Sequence, residues 1–514
     1  MELQDFMKFN IDHTLIYYPE DIKDLCDNIK RNLQYKITKK RKQAYVYNIP
    51  CAFDIETSSF YEGKEKKRAC MYMWSLSIAG LIIIGRTWME FLKVLETLQE
   101  EFKLKAGEKH LILYVQNLSY EFQWIKNWLQ WVEVFAVDNR KPIQALCSLG
   151  IEFKCSYVLS AFSLAKMGEH LTMIPVQKTD GLQYIALRHS GTDLSWQEIR
   201  YSVNDVQVVV SFIYEEIVKN GTITKIPLTN TGYVRSFCRR ACLQGFENNP
   251  KNRRFKRYNY QEFMKTLSLT LDEYRQANRC FQGGFVHANP FYADQTVWVF
   301  ECEDFTSSYP GELVLSDEFP IGQGELIENI TKEEFEKSCR YYFCMFDVIF
   351  ENIDSTFLYD NYISSSRCFL LEDATCANGR VVKAKRLGTT MCMIDFDIVK
   401  RVYKWDKMKV ANLRRYMKGY LPTDLVKAVL SLYKDKTELK GITQMFIEYM
   451  QKKGMCNASF GMICMAVLRE SSVFNCDTNE WELSDDDPEE QIKKYNESPT
   501  RFLFYPWAIV ITAS

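Results

Sequence analysis

The sequence predicts an α/β protein built from more than one domain. Three observations carry this expectation. The 514 residues exceed what a single hydrophobic core supports and suggest two to four domains. Apolar residues make up 47% of the chain and aromatics 14%, enough to bury large cores and to exclude a disordered protein. Short β-rich runs alternate with stretches of helical periodicity, and several of the runs end in a carboxylate where the chain turns into a helix.

Composition narrows the function classes. No apolar run is long enough for a membrane span, and acidic and polar residues interrupt the first positions, so neither a membrane protein nor a signal peptide is expected. Seventeen cysteines form no C-x-x-C pair and five histidines show no ligand spacing. That pattern fits reduced thiols in a cytoplasmic setting and argues against structural zinc. The net charge of −1 does not announce a nucleic-acid binder. Basic residues nevertheless cluster at Lys39–Lys42, at Lys251, Arg253, Arg254, Lys256 and Arg257, and at Lys434, Lys436, Lys440, Lys452 and Lys453. An acidic run, Asp485 to Asp487 with Glu489 and Glu490, helps cancel them. Such stripes fit a groove that tracks a phosphate backbone, although each alone is an ordinary solvated face.

Taken in order, residues 1–48 read as an N-terminal extension of mixed helix followed by a basic run. Ala44 to Glu56 is strand-like, and period two puts Asp54 and Glu56 on one face of it. Two adjacent carboxylates repel each other unless a cation lies between them, which makes the pair a metal-site candidate. Trp74 to Ile84 supplies two short apolar runs around Gly80, and Met89 to Leu104 has helical periodicity. The strand Leu111 to Gln116 leads into Asn117-Leu118-Ser119-Tyr120-Glu121, an acid just past a strand-to-helix junction. Ser195 and Glu198 form a capping box, with Leu194 and Ile199 as its staple. The helix that follows carries Tyr201 and Asp205 on one face.

The order D-x-E, then N-x-x-aromatic-acid, then Y-x-x-x-D resembles the three exonuclease motifs of family B DNA polymerases. The resemblance implies a 3′–5′ proofreading domain on an RNase H-like sheet over residues 49–235. It implies that Asp54, Glu56 and Asp205 hold two divalent ions, Mg²⁺ with Mn²⁺ as an alternative, and that Tyr201 orients the attacking water. Glu121 stands where the family commonly has aspartate. Asn117 and Tyr120 would contact a single-stranded primer end, and Lys178 resembles a lysine that the protein-primed branch uses in this site.

Further motifs extend the resemblance. A helix opening near Pro227 carries Arg235, Arg239 and Arg240. Phe281-Gln282-Gly283-Gly284-Phe285 resembles the Y-x-G-G turn, whose paired glycines, Gly283 and Gly284, let backbone approach template phosphates. Val297 to Cys302 reads as a strand entering a core, and Asp304-Phe305-Thr306-Ser307-Ser308-Tyr309-Pro310 resembles polymerase motif A. This implies Asp304 as a catalytic metal ligand, Ser307 beside the triphosphate, and Tyr309 as a steric gate against a ribose 2′-hydroxyl. Residues 236–320 would form the linker and first part of the palm. Residues 321–415 would form an insertion like the one that holds a terminal priming protein. Residues 416–465 would be helical fingers, where Lys453-Gly454-Met455-Cys456-Asn457-Ala458-Ser459-Phe460-Gly461 resembles motif B. There Lys436, Lys453, Asn457 and Phe460 would line the nucleotide pocket. Residues 466–514 would be a second insertion and the start of the returning palm. No Y-x-D-T-D of motif C occurs in the chain. The expected partners are primer and template DNA, dNTPs and a terminal protein. The missing motif C and thumb are expected on sequence beyond this chain, in a longer polymerase or on a separate polypeptide. The alternative is a polymerase-derived DNA-binding protein with at most exonuclease activity.

Overall fold

The structure is a computed structural model. It describes all residues except 40–43, 63–65, 180–185, 287–291, 293, 299, 300, 302, 304, 306, 358–360, 443, 444, 469–471, 484 and 485. The chain forms two compact units, one of Met1–Gly232 with Glu470–Asp485 and one of Tyr233–Arg469 with Asp486–Ser514. No helix among the described residues is long and apolar enough to cross a membrane.

The first unit is organised on a ten-stranded mixed sheet. Its strands are β1 (Ile16–Tyr17), β2 (Ile37–Lys39), β3 (Tyr45–Tyr47), β4 (Cys51–Glu62), β5 (Lys66–Ile78), β6 (Leu81–Gly85), β7 (Lys109–Val115), β8 (Trp131–Ala136), β9 (Pro142–Cys147) and β10 (Ile151–Cys155). They lie in the order β1-β6-β5-β4-β7-β10-β9-β8, with β3 also on β7 and β2 on β3. β4, β5 and β6 form an antiparallel meander, whereas β7 runs parallel to both β4 and β10. Alternation sets the two faces of β4. Phe53 stacks on Phe91 of the Trp88–Phe102 helix at 4.7 Å between ring centroids. Asp54 and Glu56 alternate with Phe53 and Ile55 and so fall on the opposite face. That face is covered by the Trp196–Asn220 helix, whose Ser202 hydroxyl donates to Ser75 of β5 at 2.9 Å. The predicted capping box is present: Glu198 N–H donates to Ser195 Oγ at 3.3 Å, and Ser195 N–H donates to the Glu198 carboxylate at 2.8 Å. Caps of this kind contribute about 1 kcal/mol and fix where the helix starts, hence where Tyr201 and Asp205 point.

Residues 1–48 are no appendage. Ile22, Leu25, Cys26 and Ile29 are buried on one stripe of the Ile22–Asn32 helix, at the i, i+3, i+4, i+7 spacing of a core-facing helix. β1 pairs with β6 and β3 with β7, so this segment is part of the sheet. The hairpin of Ser472–Asn475 and Glu480–Leu483 also belongs to the first unit, where Phe474 meets Phe122 edge-on at 5.1 Å. The expected 466–514 block is therefore divided between the two units.

The second unit holds a seven-stranded antiparallel sheet of β11 (Phe319–Ile327), β12 (Phe343–Ser355), β13 (Cys368–Glu372), β14 (Thr375–Ala377), β15 (Arg380–Cys392), β16 (Tyr403–Lys404) and β17 (Lys407–Gly419). The order is β11-β17-β12-β15-β13, with β14 on β15 and β16 on β12. Residues 321–415, read from sequence as an insertion, supply most of this sheet. They also supply much of its core, with Phe343, Phe346, Val348 and Phe350 of β12 fully buried. The expected helical pair is present as Thr423–Leu439 and Phe446–Gly461. The apolar run after Phe502 is buried too, and Trp507 Nε1 donates to the Pro320 carbonyl at 3.0 Å.

The strand expected at Val297 to Cys302 is not observed among the described residues. Val297 and Trp298 lie in no strand, and Trp298 is 89% exposed. A core strand needs ladder partners for its backbone groups, and no described strand pairs here. Val299, Phe300, Cys302 and the candidate metal ligand Asp304 lie outside the described residues.

Candidate functional site

The β4 face gathers carboxylates. Oxygens of Asp54, Glu56 and Asp205 all lie within 4.8 Å of one another. Glu121, on the Leu118–Ile125 helix that follows β7, is buried close enough to Asp54 and Glu56 to feel both charges. Burial pushes the Asp54 carboxyl up to about 6. Burial, then the charges of Asp54 and Asp205, push Glu56 up to about 9. Burial and Asp54 push Asp205 up to about 7, against the opposing pull of Lys178. Burial, with Asp54 next, holds Glu121 well above the usual carboxylate range.

Three buried oxygens in this cluster, Glu56 Oε1, Glu121 Oε2 and Asp205 Oδ1, have no hydrogen-bond partner. Orphaned buried carboxylate oxygens crowded together are what a hard divalent cation satisfies, and its charge reverses the upward shifts. The donor set therefore fits Mg²⁺ or Mn²⁺, with Asp54, Glu56 and Asp205 as the holding residues.

The predicted neighbours fall around this cluster. Lys178 Nζ lies 3.5 Å from Asp205 Oδ2 and 5.1 Å from the centre of the Tyr201 ring. Tyr201 is buried one helical turn before Asp205. Asn117 sits exposed at the start of the Leu118–Ile125 helix, and the partly exposed Tyr120 shares a 2.6 Å hydrogen bond with the Thr57 hydroxyl. Sequence reasoning missed Arg188. It is buried, its charge acts on Glu56, and its Nε donates to the capping Glu198. Nothing in the local sequence marks Arg188, because its partners are set by the fold.

In the second unit residues expected from the sequence to form motifs A and B meet. Lys436 Nζ, buried on the Thr423–Leu439 helix, donates to Ser307 Oγ. The Tyr309 ring packs on Phe460 with centroids 4.4 Å apart. Ser307 adopts the left-handed conformation at φ 57° and precedes the Ser308–Leu315 helix. That conformation is uncommon for a residue with a Cβ and marks a backbone held by its surroundings. Lys453 and Asn457 lie exposed one turn apart on the Phe446–Gly461 helix. Gly284 also makes room for a neighbouring side chain. A Cβ there would come within 2.5 Å of the Tyr309 hydroxyl, so its bareness makes room for that side chain, whereas Gly283 faces open space.

Cys280, Cys392 and Asp395 form a second buried set of possible ligands in this unit. The Asp395 carboxylate already accepts from Cys392 Sγ at 3.1 Å and from the Tyr362 hydroxyl, which makes the set self-satisfied.

No sequence-family profile matches the chain, and no curated protein is similar to it in sequence. Solved structures are similar in fold. Phi29 DNA polymerase complexed with single-stranded DNA superposes with a TM-score of 0.61 at 16% identity, over 91% of this chain and 75% of that one. The same polymerase with primer-template DNA gives 0.60 at 14% identity, again over 91% and 75%. Its ternary complex with primer-template DNA and incoming nucleotides gives 0.58 at 15% identity, over 91% and 76%.

The fold is similar to that of phi29 DNA polymerase. At these identities the likeness speaks for architecture, and the chemistry rests on the residues described above.

Proposed function

We propose that the protein is a DNA-directed DNA polymerase of the protein-primed family B type, with 3′–5′ proofreading carried by its first unit. The observation that carries the reading is the crowding of Asp54, Glu56 and Asp205 around orphaned oxygens, with Lys178 and Tyr201 beside them. Divalent ions held there would supply charge for the attacking and leaving oxygens of a phosphodiester. Lys178 favours the ionised form of Asp205, Tyr201 orients the attacking water, and Glu121 adds a fourth carboxyl group near Asp54 and Glu56. Asn117 and Tyr120 receive the frayed strand, on which an exposed ring stacks without sequence preference. The test is degradation of a 3′-labelled single strand in Mg²⁺. The double variant Asp54→Ala, Glu56→Ala should stop it, and persistent degradation would place the nuclease elsewhere.

In the second unit, Lys436 and Ser307 meet the triphosphate, Tyr309 gates the sugar and Phe460 backs the gate. Lys453 and Asn457 complete the exposed side of the pocket, and Asp304 supplies one metal-binding carboxylate. A terminal protein would provide the primer. The absence of a Y-x-D-T-D sequence favours a second reading for these 514 residues by themselves: a DNA-binding chain with exonuclease activity and no nucleotidyl transfer. The carboxylate that pairs with Asp304 would then come from other sequence, on the same or a separate polypeptide. Primer extension with Mg²⁺ and dNTPs separates the two. We expect none from this chain alone, and steady incorporation refutes the second reading.

A further inference from the structure

A cavity of about 190 Å³ in the second unit has no part in either site. Arg235 and Arg501 line it, together with the turn that bears Ser498 and Thr500. That turn is closed by the Arg501 N–H donating to the Ser498 carbonyl at 3.1 Å, and it brings the two hydroxyls 3.4 Å apart. At ~30 Å³ per water, the space holds several waters or a phosphate group with part of its ester.

Arg501 is the informative residue. It is 7% exposed, so its cation is essentially buried. One Nη donates to the Met264 carbonyl. The other reaches the Leu267 carbonyl and Asn496 Oδ1, each at 3.2 Å. These acceptors are neutral groups, two carbonyls at and just past the end of the Arg253–Lys265 helix and the Asn496 amide on the Pro488–Glu497 helix, so they orient the guanidinium and offset its charge only in part. Nε, also buried, has no acceptor. Among the described residues no carboxylate lies within 4 Å of Arg501, and burial holds the guanidinium below its ordinary pKa. A buried cation without a counter-ion is costly unless an anion joins it. Arg235 brings a second guanidinium to the same cavity, 6.0 Å over the Phe502 ring.

We propose that this cavity is an anion site that takes the phosphate of a phosphate ester, held between Arg501 and Arg235 and by the Ser498 and Thr500 hydroxyls. Guanidinium edges match phosphate oxygens bidentately, and two of them plus two hydroxyls supply enough donors for a tetrahedral group with three or four oxygens. The same chemistry serves a strand phosphate or a free one. The inference uses neither the nuclease nor the transferase reading, and a chain inactive in both still binds phosphate if it is correct.

The test titrates inorganic phosphate calorimetrically into the full chain, with acetate at equal ionic strength as competitor. It also measures the salt dependence of binding to a short oligothymidylate. Arg235→Gln, at a half-buried position, should weaken phosphate by about tenfold or more while melting like the wild type. Arg501→Lys keeps the charge, loses the fork and should weaken phosphate as well. If the site takes a strand phosphate, Arg235→Gln also lowers the salt slope for the oligonucleotide by about one. If it takes a free phosphate, the slope stays and only the titration changes. Equal phosphate binding by wild type and Arg235→Gln overturns the proposal, as does acetate competing as well as phosphate. Should Arg501→Lys fail to fold, the Arg235→Gln comparison still decides.

Discussion

Raising pH in a chelator should selectively destabilise the first unit, and Mg²⁺ should reverse the effect. The sign follows from the carboxylate cluster. Asp54, Glu56 and Asp205 sit at about 6, 9 and 7 in the folded protein, against ordinary values of 3.8, 4.5 and 3.8. The folded state therefore binds more protons than the unfolded one between about pH 4 and 9. Stability from the neutral forms is complete below the unfolded values and is lost as pH rises through the folded ones. Asp205 alone, moved from 3.8 to about 7, corresponds to about 4 kcal/mol at ~1.4 kcal/mol per pH unit. The carboxylates share protons, so their contributions overlap, and we take about 4 kcal/mol for the whole cluster. For a unit of this size that is a fall of roughly 10 °C in Tm between pH 4 and pH 8. Differential scanning calorimetry of the full chain in EDTA measures it directly. Mg²⁺ at pH 8 should restore most of the loss, and Glu56→Gln should shrink both the pH effect and the Mg²⁺ effect. A first-unit transition indifferent to pH and to Mg²⁺ would refute the cation-site argument.

Lys178→Met should slow single-strand degradation about a hundredfold and move the acidic limb of its pH profile upward, because Asp205 then ionises at higher pH; an unmoved limb would mean that Lys178 does not act through Asp205. Tyr309→Val should bring the dissociation constants for dATP and ATP together, where the wild type favours the deoxynucleotide by about tenfold or more, as read by fluorescence quenching. Gly284→Ala should cost about 1–3 kcal/mol in a urea melt, because the new methyl would lie within 2.5 Å of the Tyr309 hydroxyl. Adding Tyr309→Phe should recover at least half of that loss, and a loss that Tyr309→Phe leaves unchanged would show that the glycine serves some other contact.

The candidate nuclease residues were legible because each sits on an element with a strict period. Asp54 and Glu56 follow strand alternation, and Tyr201 and Asp205 follow the helical turn set by the Ser195 cap. What brings them together is the pairing of β4 with β5 and β7 and the seating of the Trp196–Asn220 helix on that sheet. Those long-range facts are not written in any single window, which is why Arg188 escaped notice. Residues 1–48 failed for another reason. The basic run at Lys39–Lys42 points to a surface segment, whereas the Ile22, Leu25, Cys26, Ile29 stripe marks a helix with one buried face. The β-rich composition around Trp298 misled in the opposite direction, because propensity describes a half-buried pleated surface and Trp298 is in solvent.

A net charge of −1 conceals two opposite electrostatic arrangements. The first unit concentrates buried carboxylates whose oxygens lack partners. In the second unit Lys436 is 7% exposed and hydrogen-bonded to a neutral serine, and Arg501 is equally buried against neutral carbonyls. Among the described residues neither cation has a carboxylate within 4 Å. One unit therefore calls for cations and the other for anions. A phosphate-bearing substrate together with divalent ions answers both demands at once, whereas a purely structural account must explain the crowded carboxylates and the two buried cations separately. Bulk charge was uninformative here because the imbalance is local, and local imbalance is what binding a charged substrate requires.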